Sequence, residues 1–371
     1  MVRCYYQMSS IQNDGLFRTV VKTISPFIPQ VEKPKKKITL TNKLIWTGIA
    51  LLIYLVMGQV PLFGVNVDPA TDPLAFARVI FAAQQRTLLE LGIGPIVTAG
   101  LLMQLLKGSD ILKLNFRDPN DRSLFTSATK IVTIIVIVAE TVLYGVSVYG
   151  GATPSGYHLS VLIAQLAAAS IVVMYLDELV QKGWGLGSGI SVFIMAGVAQ
   201  AILWSIFNPL PIPNGVEPSG MIPFMITSGM EGHFGDTLLR SAPPAPVPNM
   251  PSLFGFGITA GILLLLVYVQ GIHVDIPIVS TRYRGFTATY PIKLLYTSNI
   301  PVILASALMA NALFIGQMVW INYNPNNDNP AFNWIAQYNP QSQNPTGGLF
   351  YYLTAPRSFD ATMHDPVRAV V

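Results

Sequence analysis

An all-α polytopic membrane protein is the fold class that this sequence predicts, on three observations. Charged residues are 11% of the 371 and hydrophobic residues 51%, against roughly 25% charged in a soluble domain. Seven apolar stretches approach the ~20 residues that a bilayer core demands: 44–63, 87–106, 128–149, 159–177, 188–207, 253–272 and 294–320. The joining segments divide Lys and Arg unevenly. With the N-terminus inside, the outer segments hold only Arg78, Arg86, Arg240, Arg357 and Arg368, and the rest of the 22 lie inside. That asymmetry fits a cytoplasmic N-terminus and an odd number of spans.

The N-terminal segment, 1–43, is basic. It has no early apolar core with a small-residue cleavage site, so it is not a secretory signal. Residues 16–30 read as a short amphipathic helix on the cytoplasmic membrane surface, broken by Pro26 and Pro29. Cys4 is the single cysteine, which excludes a disulfide framework and a cysteine metal site.

The segment after the first span, 66–86, is too polar to cross and too apolar for a plain loop. Asp72 is suited to cap a helix and Pro73 to begin one. Its apolar face would carry Leu74, Ala77, Ile80 and Phe81, with Phe76 in the same run. Two readings stand: an interfacial helix, or a re-entrant helix buried in protein, because irregular backbone at membrane depth must be buried or line a cavity. The second span contains Glu90, Gly92, Gly94 and Pro95 and predicts a half-length helix beginning near Gly94.

A device then appears twice. Leu91–Leu106 and Gly185–Val198 each open an apolar helix with glycines, and each sets two β-branched residues four apart: Ile93 and Val97, then Ile190 and Ile194. Residues i and i+4 share a helix face. Two narrow aliphatic faces beside closely approachable backbone suit either a seal around a passing substrate or tight helix packing. Thr98, Glu140 and Asn299 are polar groups within spans, and an intramembrane carboxyl faces a cavity or a partner; a structural interhelical hydrogen bond is the alternative.

The outer loop 208–252 is rich in proline, and the outer loop 321–366 in Asn, Gln and Pro. Neither holds a usable Asn-x-Ser/Thr sequon. Between spans six and seven, 273–293 alternates with period two around Arg282-Tyr283-Arg284-Gly285, which predicts a cytoplasmic β-hairpin. Exposed arginines at its tip suit nucleic acid or an acidic surface, although positive-inside charge alone also accounts for them. No His-Glu-x-x-His, Gly-x-Ser-x-Gly or P-loop is present, so neither catalysis nor nucleotide use is expected, and no cofactor.

Four groups of residues resemble the SecY family of protein-conducting channels, of the archaeal and eukaryotic type. They are LGIGPIVTAGLLMQ (91–104), YLDELVQKGWGLGSGISVFI (175–194), RYRG with YPIKLLYTSNIPVILASAL (282–285 and 290–308), and FYYLTAP with DPVRAVV (350–356 and 365–371). The resemblance covers about residues 25 to 371. It implies two pseudo-symmetric halves of five spans around an hourglass pore. Here the first half would be 44–207 and an incomplete second half 253–371, giving seven of ten helices. It further implies a pore ring of Ile93, Val97, Ile190, Ile194 and Ile303, a plug within 66–86, a lateral-gate polar cluster of Thr98, Glu140 and Asn299, and a ribosome-contacting tip at Arg282 and Arg284.

The same resemblance implies partners: SecE/gamma-type and beta-type small membrane subunits, the ribosome, and nascent chains bearing signal sequences. The host would be an archaeal plasma membrane or, alternatively, the endoplasmic reticulum. The end at 371 reads as the first residues of an eighth span, so a C-terminally truncated chain is expected. A secondary transporter with broken helices and a non-conducting membrane scaffold are the competing readings. A transporter should carry midplane charges, whereas here Ile and Val line the discontinuity.

Overall fold

The computed structural model describes residues 16–65, 78, 81–109, 111–112, 114–149, 156–211, 217–230, 252–279, 287–294, 299–324, 327–338, 345–353 and 365. The chain divides into two compact units, one of 1–198 with 303–356 and 365–371, the other of 199–302 with 357–364.

In the first unit, α1 (Leu16–Ile24) stops where Pro26 enters a short tight turn, Ser25–Phe27. Its apolar face packs on protein: Phe17 and Val21 join Met103, Leu112, Leu114 and Ala128 in one cluster. Arg18 bonds Asp121 at 3.1 Å. The sequence predicts this amphipathic helix at the cytoplasmic membrane surface; the structure adds that Phe17 and Val21 meet protein, while Val20 and Ile24 on the same helix stay exposed. An apolar stripe alone does not tell these partners apart, since lipid and a protein groove satisfy it equally.

α2 (Leu40–Met57) is a span whose buried face is Thr47, Ala50, Tyr54 and Met57, at helical spacing. Leu44, Ile45, Leu52 and Val56 stay exposed for lipid. α3 (Gly94–Gly108) has only 15 residues, about 22 Å at 1.5 Å per residue, and so cannot cross a ~30 Å core alone. α4 (Pro119–Tyr144) begins with Pro119 in its first turn, and Asp118 caps it by accepting from the Asn120 N–H at 3.0 Å. It starts nine residues before the apolar stretch does, because cap and proline rather than hydropathy set its N-terminus. It runs into a π-helical turn, Gly145–Tyr149.

α5 (Gly156–Leu179) also ends in a π-helical turn, Val180–Trp184, kinked at Gly183 with φ 101°. α6 (Gly189–Phe207) follows. Gly189 admits no side chain, since a Cβ would strike the Asp177 carboxylate and lie 2.8 Å from its Cα. The second unit holds α7 (Met221–Met230), a helix inside the 208–252 segment, where proline richness predicts only a loop. It also holds α8 (Leu253–Gly271), capped by Ser252, whose hydroxyl accepts from the Gly255 N–H at 3.1 Å. β1 (His273–Val279) and β2 (Thr287–Lys293) then pair antiparallel, from His273 opposite Lys293 to Val279 opposite Thr287. This is the hairpin that the period-two alternation predicts.

α9 (Asn299–Tyr323) occupies the seventh apolar stretch, so each of the seven contains a helix, and among the described residues five helices, α2, α4, α5, α6 and α8, are long and apolar enough to cross a membrane. Its C-terminal end carries a small ordered cap: α10 (Pro330–Ile335), β3 (Gln337–Tyr338), β4 (Pro345–Gly347) and α11 (Leu349–Leu353). Trp320 packs on Tyr338 with ring centroids 5.3 Å apart, and its indole donates to the Asn327 side chain at 2.8 Å. Asn324, Asn327 and Asn333 close the turn through further bonds of 2.7 to 2.9 Å. Burial pushes the Tyr338 phenol above its ordinary value. Asparagine richness here builds structure: amides satisfy a turn's backbone, and Asn327 adopts a left-handed φ of 59°.

Candidate functional site

The principal core cluster of the first unit forms around the two glycine-led segments. Ile93 and Val97 are buried in it, with Ala50, Tyr54, Ala82, Val173 and Phe193; Ile190, Ile194 and Phe81 pack against it. The structure therefore brings four of the five ring candidates into one aliphatic site. The side chain of the fifth, Ile303, lies outside the described residues.

Glycine at 92 is dictated by backbone approach. Gly92 takes φ +53°, and a Cβ there would collide with the Phe81 carbonyl. That carbonyl accepts from the Ile93 N–H at 2.9 Å, and the Phe81 ring lies 3.5 Å from where a side chain at Gly94 would begin. The next residue, Ala82, accepts from the Tyr54 hydroxyl at 2.5 Å, and Tyr54 stacks on Phe193 at 4.6 Å. Gly197 on α6 faces Ala82, with 3.0 Å between the Ala82 Cβ and a Cβ built on the glycine. The end of the 66–86 segment is thus seated directly on the Ile93 aliphatic site.

Both ends of that segment are tied together. The Leu62 N–H donates to the Arg86 carbonyl at 2.9 Å and the Leu88 N–H to the Val60 carbonyl at 3.0 Å, so the chain leaves and returns at one place. Of the candidates in this segment, only Phe81 is described; Asp72, Pro73, Leu74, Phe76, Ala77 and Ile80 lie outside the described residues.

A buried ion pair, which sequence reasoning missed, fixes the segment further. Arg78 donates to the Glu90 carboxylate at 2.6 Å, with side-chain exposures of 10% and 0%. The Tyr144 hydroxyl donates to the same oxygen at 2.5 Å, and the Arg86 N–H bonds the other. Arg86 and Ala82 hold positive φ values of 60° and 48°, conformations that non-glycine residues keep only when neighbours over-determine them. No local motif joins positions 78, 90 and 144; the one available signal was a glutamate at the edge of an apolar stretch, which needs a partner.

The polar candidates fall on α3, α4 and α9. The Thr98 hydroxyl donates to the Gly94 carbonyl at 2.9 Å and accepts from the Asn311 amide at 2.9 Å. Glu140 on α4 lies close to Thr98. The side chain of Asn299 lies outside the described residues. Asn311, twelve residues along the same helix, is the α9 residue that meets Thr98. It was missed because an asparagine amid Ala, Leu and Met resembles any tolerated polar residue until its partner is known. In the hairpin, pairing ends at Val279 and Thr287, and Arg282, Tyr283, Arg284 and Gly285 lie outside the described residues.

Comparison with known proteins identifies this arrangement. The SecY family model matches residues 87–358, and a model described as the plug domain of Sec61p matches residues 52–85. A solved protein conducting channel shares 34% identity at a TM-score of 0.72, covering 94% of this chain and 72% of that one. Sec61 in the canine ribosome–channel complex from the endoplasmic reticulum shares 34% at 0.71, with the same coverages. A SecY protein whose plug domain stabilises the closed translocation channel and maintains a membrane seal shares 35% at 0.70, again over 94% and 72%. Glycine-led α3 and α6, the aliphatic site between them and the segment seated on it are thus parts of one known architecture, and this chain belongs to the SecY family.

Proposed function

We propose that this multi-pass membrane protein is the central pore-forming subunit of a Sec translocation channel. It conducts unfolded polypeptides passively and releases apolar segments sideways into lipid. The observation that carries the reading is the seating of Phe81 and Ala82 on the cluster of Ile93, Val97, Ile190 and Ile194. Branched aliphatic side chains exclude water from a constriction and close around any sequence, because dispersion and apolar burial are non-directional. Ile303 completes the ring in this reading, and residues 66–86 are the plug.

Thr98 and Glu140, with Asn311 on α9, form the polar contact of the lateral gate; Asn299, about 18 Å away along the same helix, is the member that the family resemblance implies. A signal helix displaces it when apolar area buried outweighs a few modest hydrogen bonds. Arg282 and Arg284 dock the ribosome; the canine relative was solved in a ribosome–channel complex. The SecE/gamma-type and beta-type small subunits complete the assembly, and movement is driven by partners, since the chain carries no nucleotide site of a known motif. The N-terminus is cytoplasmic by its lysines. The host is an archaeal plasma membrane; the canine relative supports the endoplasmic reticulum as the alternative.

The test is site-specific photocrosslinking from positions 93 and 194 to a stalled secretory nascent chain in membranes. Adducts from both, and none from lipid-facing Leu52, are expected. No adduct from either position, with insertion intact, refutes the pore assignment.

A further inference from the structure

The stretch that joins α1 to α2 carries chemistry that conduction does not use. It contains Lys33, Lys35, Lys36 and Lys37, all exposed, and Glu32 is the only acid in residues 16–65. The stretch is pinned. Lys130 on α4 donates to the Pro29 carbonyl at 2.5 Å, and the Trp184 indole donates to the Glu32 carbonyl at 2.8 Å. Pro34 then lies against Gly183, 3.8 Å from where a Cβ would sit.

The surroundings set its depth. Trp184 makes an edge contact with Trp46 at 5.4 Å, and tryptophans mark the headgroup level of membrane proteins. Leu40, Leu44 and Ile45, immediately after the lysines, are exposed on the span. The charges differ from their neighbours. Lys130 and Lys182 both bond Glu178, at 2.6 and 2.8 Å, whereas none of the four lysines forms an ion pair among the described residues.

We propose that Lys33, Lys35, Lys36 and Lys37 form a docking site for anionic phospholipid headgroups of the cytoplasmic leaflet, held at headgroup depth by the Trp184–Glu32 and Lys130–Pro29 bonds. Four cations immediately before a span, beside a tryptophan pair and lipid-facing leucines, match a phosphodiester surface in charge and position. Lysine supplies flexible point charges rather than the planar fork that reads a fixed geometry, so the site selects charge over headgroup shape. The inference is independent of the channel reading.

The experiment measures lipid selectivity of the full chain in bilayers by electron paramagnetic resonance, with spin-labelled phosphatidylglycerol against spin-labelled phosphatidylcholine. Three variants are compared with the parent: all four lysines to Gln, all four to Arg, and Trp184→Phe. Each lysine near an anionic surface is worth about fivefold in partitioning. The parent and the Arg variant are expected to prefer the anionic label several-fold, falling with added salt. The Gln variant should lose most of that preference. Trp184→Phe, which alters no charge, should lose part of it by releasing the stretch. Equal preference in parent and Gln variant overturns the proposal. Unchanged preference in Trp184→Phe overturns the pinned site. Loss of ribosome co-sedimentation by the Gln variant with lipid selectivity intact also refutes it, and assigns the lysines to nucleic acid.

Discussion

Removing the Glu90 carboxylate should unseat the 78–86 segment without unfolding the helices around it. Glu90 is fully buried and bonds Arg78 at 2.6 Å, Tyr144 at 2.5 Å and the Arg86 N–H. Stripping one partner from a buried pair costs about 3–5 kcal/mol, because the other charge stays desolvated. Arg78 has an escape that a core residue lacks: its segment leaves the wall and returns to it at one place, so moving away rehydrates the guanidinium. The destabilisation of Glu90→Ala should thus appear as displacement, shifting the seated-to-unseated ratio by on the order of 10²–10³-fold at 1.4 kcal/mol per decade. Disulfide trapping reads this directly in a Cys4→Ser background with Ala82→Cys and Gly197→Cys. The Cβ separation of 3.0 Å reaches the usual ~3.8 Å with a small shift. Trapping should be rapid with Glu90 present and at least tenfold slower in Glu90→Ala. Arg78→Met with Glu90→Met should recover it, since replacing both partners with apolar groups removes the unpaired charge. Equal trapping rates with and without Glu90 would refute the argument.

Three further outcomes are expected. Ile190→Gly with Ile194→Gly removes two branched side chains from the aliphatic site and should raise ion leak through reconstituted liposomes; unaltered leak removes both from the ring. Gly92→Ala places a Cβ against the Phe81 carbonyl at φ +53° and should destabilise that turn by about 1–3 kcal/mol, seen as faster hydrogen exchange at the Ile93 amide; unchanged protection there counts against the seat. Arg282→Glu with Arg284→Glu should weaken ribosome co-sedimentation, with the deficit shrinking as salt rises; identical binding to the parent returns the hairpin to topology alone.

Legibility in the sequence followed the range of the interaction. Seven apolar stretches, the half-length helix from Gly94 and the hairpin were readable because hydropathy, a Gly-Pro start and period-two alternation are local. Helix ends were less so: α4 begins at a capped proline outside its apolar run. The i, i+4 pairs Ile93/Val97 and Ile190/Ile194 were readable as two faces, but their convergence on one cluster was not.

What the sequence determined by itself is the membrane class and the glycine-led aliphatic helices that belong to the SecY family. What only the tertiary structure decided are contacts between distant positions: Arg78 with Glu90 and Tyr144, Thr98 with Asn311, Phe81 on Ile93, and Phe17 and Val21 of α1 packed with Met103 and Ala128. The physical reason is that hydropathy records only the need to leave water. It is silent on whether lipid or protein meets that need, and a buried polar atom finds its partner through three-dimensional proximity, which no spacing along the chain encodes.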